Sequence, residues 1–232
     1  TMLGILRGYS PKRLSEVSIG ALLHDVGKVK ISPNILNKPE KLTDEEMQVM
    51  KTHSEEGFKT LRKNRELSVV PMHVAYQHHE KFDGTGYPRG LKGDSIHEYA
   101  RIVAIADVYD ALTSDRAYKK ACHPYEAYKI MIEMVNSHFD PELFELFFNH
   151  VAVFPVGTTV MLNDGGYAIV IEIKNGETFT PKVKFLADSN YNKVSGEVCV
   201  DLAKQSRFFI TDVLNDVEVF DLLDRTKHVR FA

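Results

Sequence analysis

His78-His79-Glu80-Lys81-Phe82-Asp83-Gly84-Thr85-Gly86-Tyr87-Pro88 is the stretch on which the reading of this chain turns. Two imidazoles and a carboxylate stand together and run straight into a turn. There Gly84 and Gly86 admit positive φ or a close backbone approach, and Pro88 stiffens the exit. Neighbouring residues on a helix point about 100° apart, so His78 and His79 do not chelate one ion face-on. They can each serve one ion of a pair separated by roughly 3.5–4 Å.

Outward from this stretch, three more groups bear ligand chemistry. His24-Asp25 follows the apolar run Ile19-Gly20-Ala21-Leu22-Leu23 and precedes Val26-Gly27-Lys28. An imidazole beside a carboxylate at the end of a buried helix is costly unless a positive charge pairs with it. Asp107 lies within the nearly all-apolar stretch from Ile102 to Leu112, and His53 falls among inward-facing apolar positions. Alone, His53 reads as a satisfied core histidine and Asp107 as a buried contact between helices. Together, His24, Asp25, His53, His78, His79 and Asp107 supply enough nitrogen and oxygen donors for a two-metal centre. Such sets suit iron, manganese, nickel or zinc, and neither cysteine, Cys122 or Cys199, lies near them. His73, His97, His123, His138, His150 and His228 stand alone and read as surface or capping residues.

These fragments resemble the HD-GYP family of metal-dependent phosphohydrolases. His24-Asp25 with Gly27-Lys28 is similar to its HD signature, and His78 to Pro88 to its HHExxDGxGYP stretch. Ala106-Asp107-Val108-Tyr109-Asp110-Ala111-Leu112-Thr113, then Arg116-Ala117-Tyr118-Lys119, is similar to the block that follows in that family. The resemblance covers roughly Leu22 to Phe148. From Phe154 onward the chain resembles, less specifically, an extension carried by many such proteins.

The resemblance implies an all-helical HD-type bundle that hydrolyses a cyclic dinucleotide, cyclic di-GMP foremost, to pGpG or on to GMP. It implies two or three divalent metal ions, iron or manganese favoured and zinc or nickel admissible. The metal ligands would be His24, Asp25, His53, His78, His79 and Asp107, with Asp25 bridging. Water activated by the metals would attack phosphorus in line with the departing ribose 3′ oxygen. Asp25, Lys28 and Asp110 are then catalytic candidates, and Lys28, Tyr87, Arg116 and Lys119 substrate contacts. Each has a plainer reading: Lys28 as a surface lysine, Asp110 as a cap, Arg116 and Lys119 as a solvated basic face, Tyr87 as a loop plug. The segment Asp83 to Pro88 is also expected to dock partner proteins. In the family a helix upstream of the HD pair contributes another histidine and often a glutamate. Nothing in Thr1 to Gly20 replaces it, since Glu16 is the only carboxylate there.

Composition narrows the alternatives. With 232 residues, 44% hydrophobic and 26% charged, the chain has the make-up of a soluble globular protein. A net charge of -3 argues against a binder of nucleic-acid polymers, which needs a basic surface. No apolar run approaches the roughly 20 residues that span a bilayer. The two distant cysteines read as reduced thiols, so a cytoplasmic location is expected. The chain begins at Thr1 without an initiator methionine and reads as part of something longer, with an upstream sensor or regulatory domain. Two rivals stand beside the diesterase reading: a phosphohydrolase for another nucleotide, and a non-catalytic module that senses the dinucleotide or binds a partner. Oligomeric state is not legible.

Residues up to about His150 read as helices. Thr43-Asp44-Glu45-Glu46 has the form of a capping box, and Met47, Met50, His53, Gly57, Phe58 and Leu61 behind it fit one helix face. Tyr125 to Met134 and Pro141 to Phe148 give two more amphipathic segments. The texture changes at Val153-Phe154-Pro155-Val156-Gly157. Strands are expected at Thr159 to Leu162, Ala168 to Ile173, Lys182 to Leu186 and Val198 to Asp201, with turns at Asn163 to Gly166 and Lys174 to Gly176. The chain is thus expected to be mainly α: a helical domain over 1–152 and a small antiparallel β subdomain over 153–232.

Overall fold

Two glycines decide how the helices around the HD pair close up. In a computed structural model, which describes residues 1–115 and 120–228, α1 (Met2–Leu6) is followed by α2 (Pro11–Leu23). Ser10 caps α2 by accepting the Arg13 amide, and Pro11 takes the first helical position. α2 packs on α6 (Val69–Gln77) so closely that a Cβ on Gly20 would lie 2.8 Å from Val74 Cγ2. Beyond α2 the HD pair leads into a 3₁₀ turn, Val26–Lys30, which lies on α5 (His53–Leu61). A Cβ on Gly27 would fall 1.8 Å from the His53 carbonyl oxygen and 2.5 Å from the Gly57 nitrogen. Only glycine lets these two backbones touch.

α3 (Pro33–Leu36) and α4 (Asp44–Lys51) lie between. The capping box forms as expected: Glu46 donates its amide to the Thr43 hydroxyl, and Thr43 donates its amide to the Glu46 carboxylate. The helix expected behind it is broken, however, into α4 and α5 at Thr52. The Thr52 hydroxyl donates to the Val49 carbonyl at 2.7 Å, and His53 Nδ1 bonds the Met50 carbonyl at 2.7 Å. Side chains that take backbone carbonyls in this way bend a helix. Met47, read as inward-facing, is exposed.

α7 (Glu98–Thr113) packs on α2 and α6 and buries Tyr99, Ala100 and Ile102 to Ile105. Leu61, Met72 and Ala75 form a core cluster with Leu23, Val26, Phe58 and Leu67. α8 (Pro124–Ile132) and α9 (Pro141–Phe148) complete the helices before the sheet. Asp140 caps α9 through the Glu142 and Leu143 amides and takes Arg101 of α7 at 2.6 Å on its other oxygen.

The chain divides into two compact units, Thr1–Cys122 with Lys129–Phe147, and His123–Tyr128 with Phe148–Ala232. The second holds an antiparallel sheet in the order β4-β3-β2-β1-β5, built from β1 (Thr159–Leu162), β2 (Tyr167–Glu172), β3 (Lys182–Ala187), β4 (Cys199–Asp201) and β5 (Ile210–Val213). Gly165 and Gly176 take positive φ in its turns. Its buried positions include Val160, Leu162, Ala168, Val170, Val183, Ala187 and Val200, in pairs such as Val160–Ala168 and Val183–Val200. β5 and a final helix, α10 (Asp216–His228), extend the unit beyond the four strands expected. α10 starts on a reciprocal cap: Asn215 Oδ1 accepts the Glu218 amide and Glu218 accepts the Asn215 amide. Among the described residues no helix is long and apolar enough to cross a membrane.

Candidate metal centre

Four elements of the helical unit converge on Asp25. The end of α2 brings His24, the Gly27 contact brings the start of α5 with His53, α6 ends in His78 and His79, and the middle of α7 brings Asp107. Asp25 Oδ1 lies 3.4 Å from His53 Nε2 and 3.7 Å from His78 Nε2. Its other oxygen, Oδ2, lies 3.3 Å from His24 Nε2, which in turn is 3.7 Å from Asp107 Oδ1. Donor atoms of Asp25, His53, His78 and His79 all lie within 4.8 Å of one another. Donors held about 2.0–2.2 Å from a common ion stand roughly 3–3.5 Å apart, close to these separations.

Three of the histidines are anchored alike. His24 Nδ1 bonds the Ala21 carbonyl at 2.7 Å, His53 Nδ1 that of Met50 at 2.7 Å, and His78 Nδ1 that of Ala75 at 3.0 Å. Each bond runs three residues back along the chain. A proton fixed on Nδ1 leaves the Nε2 lone pair pointing inward, the arrangement that orients imidazole ligands in metal sites. His24 Nε2 and Asp25 Oδ1 are buried and without a hydrogen-bond partner. Two buried acceptors with no donor to satisfy them are what a cation site presents.

The electrostatics agree. Burial keeps His53 below its usual range, pulls His78 down to about 4 and His79 to about 2, so these rings are neutral and ligand-competent. His24 runs the other way. Burial opposes its charge, but the Asp107 and Asp25 carboxylates outweigh that and hold it up to about 10. Asp25 is likewise pushed by burial towards neutrality, yet His24 and Lys28 keep it well below the usual carboxylate range. The positive charge that these two carboxylates call for is thus met by a proton on His24 Nε2, a place that a bound cation would take instead. The donor set and its buried orphans fit a divalent cation.

Glu80 explains how the glycine turn is held beside this cluster. Its carboxylate is buried and accepts the amides of Arg89 at 2.8 Å and Leu91 at 2.9 Å. Tyr87 returns its amide to the His79 carbonyl, and Phe82 and Asp83 donate theirs to His138 and Ser137. A Cβ on Gly86 would lie 2.2 Å from the Lys81 nitrogen, and Gly84 has φ +90°. The sequence pattern alone assigns Glu80 no role. The signal was there in an acidic residue placed just before a turn rich in free amides.

The remaining candidates fall as follows. Lys28 donates to Asp25 Oδ2 at 2.5 Å. The Tyr87 ring stacks on His79 at 4.8 Å between centroids. Asp110 is exposed and accepts the Ser114 hydroxyl at 3.0 Å. Arg116 and Lys119 lie outside the described residues.

Residues 2–143 match the family model of the HD domain, and residues 159–222 match a KOW domain associated with the HD domain. The chain belongs to the HD domain family. HD domain phosphohydrolases are metal-dependent, and the cluster around Asp25 can hold metal. The HD-GYP identity read from His78 to Pro88 holds as well. The chain is 41% identical over 189 residues to a cyclic di-GMP phosphodiesterase of Pseudomonas aeruginosa, covering 82% of this chain and 45% of that protein. It is 41% identical over 146 residues to a 3′3′-cGAMP-specific phosphodiesterase of Vibrio cholerae, covering 62% of this chain and 28% of the other. Among solved structures, an HDG"Y"P protein of Bdellovibrio bacteriovorus is 29% identical, with a TM-score of 0.50, over 62% of this chain and 47% of that one. The HD chain spans less than half the length of each of these relatives.

Proposed function

We propose that this HD domain is a metal-dependent phosphodiesterase that opens a cyclic dinucleotide, cyclic di-GMP foremost, to pGpG or on to GMP. The observation that carries the reading is the division of Asp25, one oxygen towards His53 and His78 and the other towards His24. We assign His24, Asp25 and Asp107 to one divalent cation and Asp25, His53, His78 and His79 to a second, iron or manganese ahead of zinc or nickel. Bound cations supply the charge that steadies a phosphoryl transition state and acidifies water.

The chain's own groups do the rest. The Nδ1 anchors fix the ligand rings before substrate arrives, so little reorganisation is needed. Lys28 balances charge on Asp25, and in this reading it neutralises a non-bridging phosphoryl oxygen. Tyr87 stacks on His79 and serves as a substrate contact on that side of the cluster. Asp110 takes Ser114 on Oδ1, which leaves Oδ2 to accept a proton. Arg116 and Lys119 take the second phosphate. The Asp83 to Pro88 turn, with Thr85 exposed, docks a protein partner, and a regulatory domain upstream controls the cytoplasmic enzyme.

Relatives named for cyclic di-GMP and for 3′3′-cGAMP support the substrate class. The test is product chromatography on protein purified without oxygen and loaded with Fe²⁺ or Mn²⁺. Cyclic di-GMP should be consumed, and His24→Ala and Asp25→Ala should each lower the rate by more than about 100-fold. Elemental analysis should count two metal ions per chain. Hydrolysis confined to mononucleotides, or undiminished in either variant, would sink the proposal.

A further inference from the structure

We infer that the corner between α4 and α5 is a base subsite that selects guanine. This rests on the cyclic-dinucleotide reading and deepens it. A cleft of about 210 Å³ opens at the corner, lined by Gln48, Lys51, Thr52, Glu55, Tyr87 and Pro88. Tyr87 is common to the cleft and the metal centre, since its ring stacks on His79 with 28° between planes. The Tyr87 ring is thus the wall that the cleft shares with His79 of the Asp25 cluster. A base whose phosphate is held at that cluster extends one sugar further, into this neighbourhood.

The lining has a helical logic. Thr52 keeps αR dihedrals (φ -65°, ψ -15°) at the break, so Gln48, Thr52 and Glu55, spaced by four and three residues, share a face across both helices. Lys51 Nζ lies 5.3 Å from the centroid of the Tyr87 ring, a cation–π distance. Among the described residues no carboxylate pairs with it. Glu55 stands 3.8 Å from Lys59, whose closer partner is Glu56 at 2.7 Å. The cleft therefore offers a cation without a counter-ion and a carboxylate with accepting capacity to spare, beside an aromatic wall.

Guanine fits that polarity and adenine does not. Guanine presents O6 and N7 as acceptors, which suits the Lys51 ammonium. Its N1–H and exocyclic amine donate side by side, which suits the two oxygens of Glu55. Adenine carries an amine where guanine carries O6, so it would meet Lys51 donor against donor. It also lacks the N1–H that Glu55 needs. A site whose polar groups are left unpaired by the wrong base discriminates strongly against it.

Two measurements on the Mn²⁺-loaded protein test this: calorimetric Kd for GMP and AMP, and kcat/KM for cyclic di-GMP and cyclic di-AMP. The unmodified protein should favour guanine by roughly 100-fold in each. Lys51→Ala and Glu55→Gln should each shrink that preference by about tenfold, chiefly by weakening the guanine ligand, while Lys51→Arg should retain it. Equal losses on both bases, or an unchanged preference, would overturn the subsite. If no cyclic dinucleotide is hydrolysed at all, the phosphodiesterase reading is what fails. The GMP-to-AMP ratio and its response to the variants then still decide the subsite.

Discussion

The helical unit and the sheet unit treat their polar groups in opposite ways. In the first, His53, Ser54, Gln77, His78, Glu80 and Asp140 are buried. In the second, the buried polar residues among those described are Thr159 and Thr178. Charges of the sheet unit meet at its surface, as in Lys174 with Asp201, Lys184 with Glu197 and Lys182 with Glu172. A buried ionisable group is costly even when partnered, while an exposed ion pair contributes little either way. Where a small protein concentrates its expensive groups is where stability has given way to chemistry.

The largest expected effect tests whether close packing holds that costly region together. Gly27→Ala drives a methyl into the His53 carbonyl, and its backbone neighbours have no flexible end to yield. Urea unfolding should show a loss of more than about 3 kcal/mol. Gly176→Ala, with φ +81° but open space around it, should cost only about 1 kcal/mol in the sheet unit. Equal losses would mean that the backbone contact is not what draws His53 to Asp25.

Next comes the staple of the glycine turn. Glu80→Gln removes a buried charged acceptor from two amides, and thermal unfolding should record a loss of about 2 kcal/mol. Hydrogen exchange at the Arg89 and Leu91 amides should quicken more than at α2. Unchanged exchange there would show that the turn stands without Glu80.

The smallest effect separates a partnered carboxylate of the helical unit from an exposed one of the sheet. Glu98 is pushed up by burial, but the Tyr9 hydroxyl beside it and Arg7 and Arg13 outweigh that and hold it low. Its folded value lies below the unfolded one, so its contribution is present above the ordinary carboxylate range and disappears as pH falls through the folded value. Glu98→Gln should therefore lower stability by about 1 kcal/mol at pH 7 and converge with the unmodified protein in acid, once the pH has fallen below the lowered folded value. Glu197→Gln should change nothing measurable at either pH. A Glu98→Gln deficit that persists in acid would point to lost packing rather than lost charge.

Much of the cluster was legible because its chemistry is carried by residue types that are rare in cores. His24-Asp25, His78-His79 and Asp107 stand out against apolar neighbours, and the Thr43–Glu46 cap is written in four consecutive residues. The break at Thr52 was not legible, because the apolar spacing from Met47 to Leu61 runs through it unchanged. Its cause is two side chains taking carbonyls, which periodicity does not register. α10 was missed although Asn215 and Glu218 carry a capping pair, since the acidic residues around Val217 and Phe220 obscure its apolar face. β5 is four residues long and pairs with β1, over forty residues earlier, so nothing local announces it.

The Glu80 staple also makes the turn and the ligand helix a single lever. Glu80 follows His79 directly in the chain, and its far end grips the amides of Arg89 and Leu91. Whatever pulls on the exposed Arg89 pulls, through one carboxylate, on the backbone that aims His79. A load on that turn would not need to touch His79 to shift it. It would only have to lean.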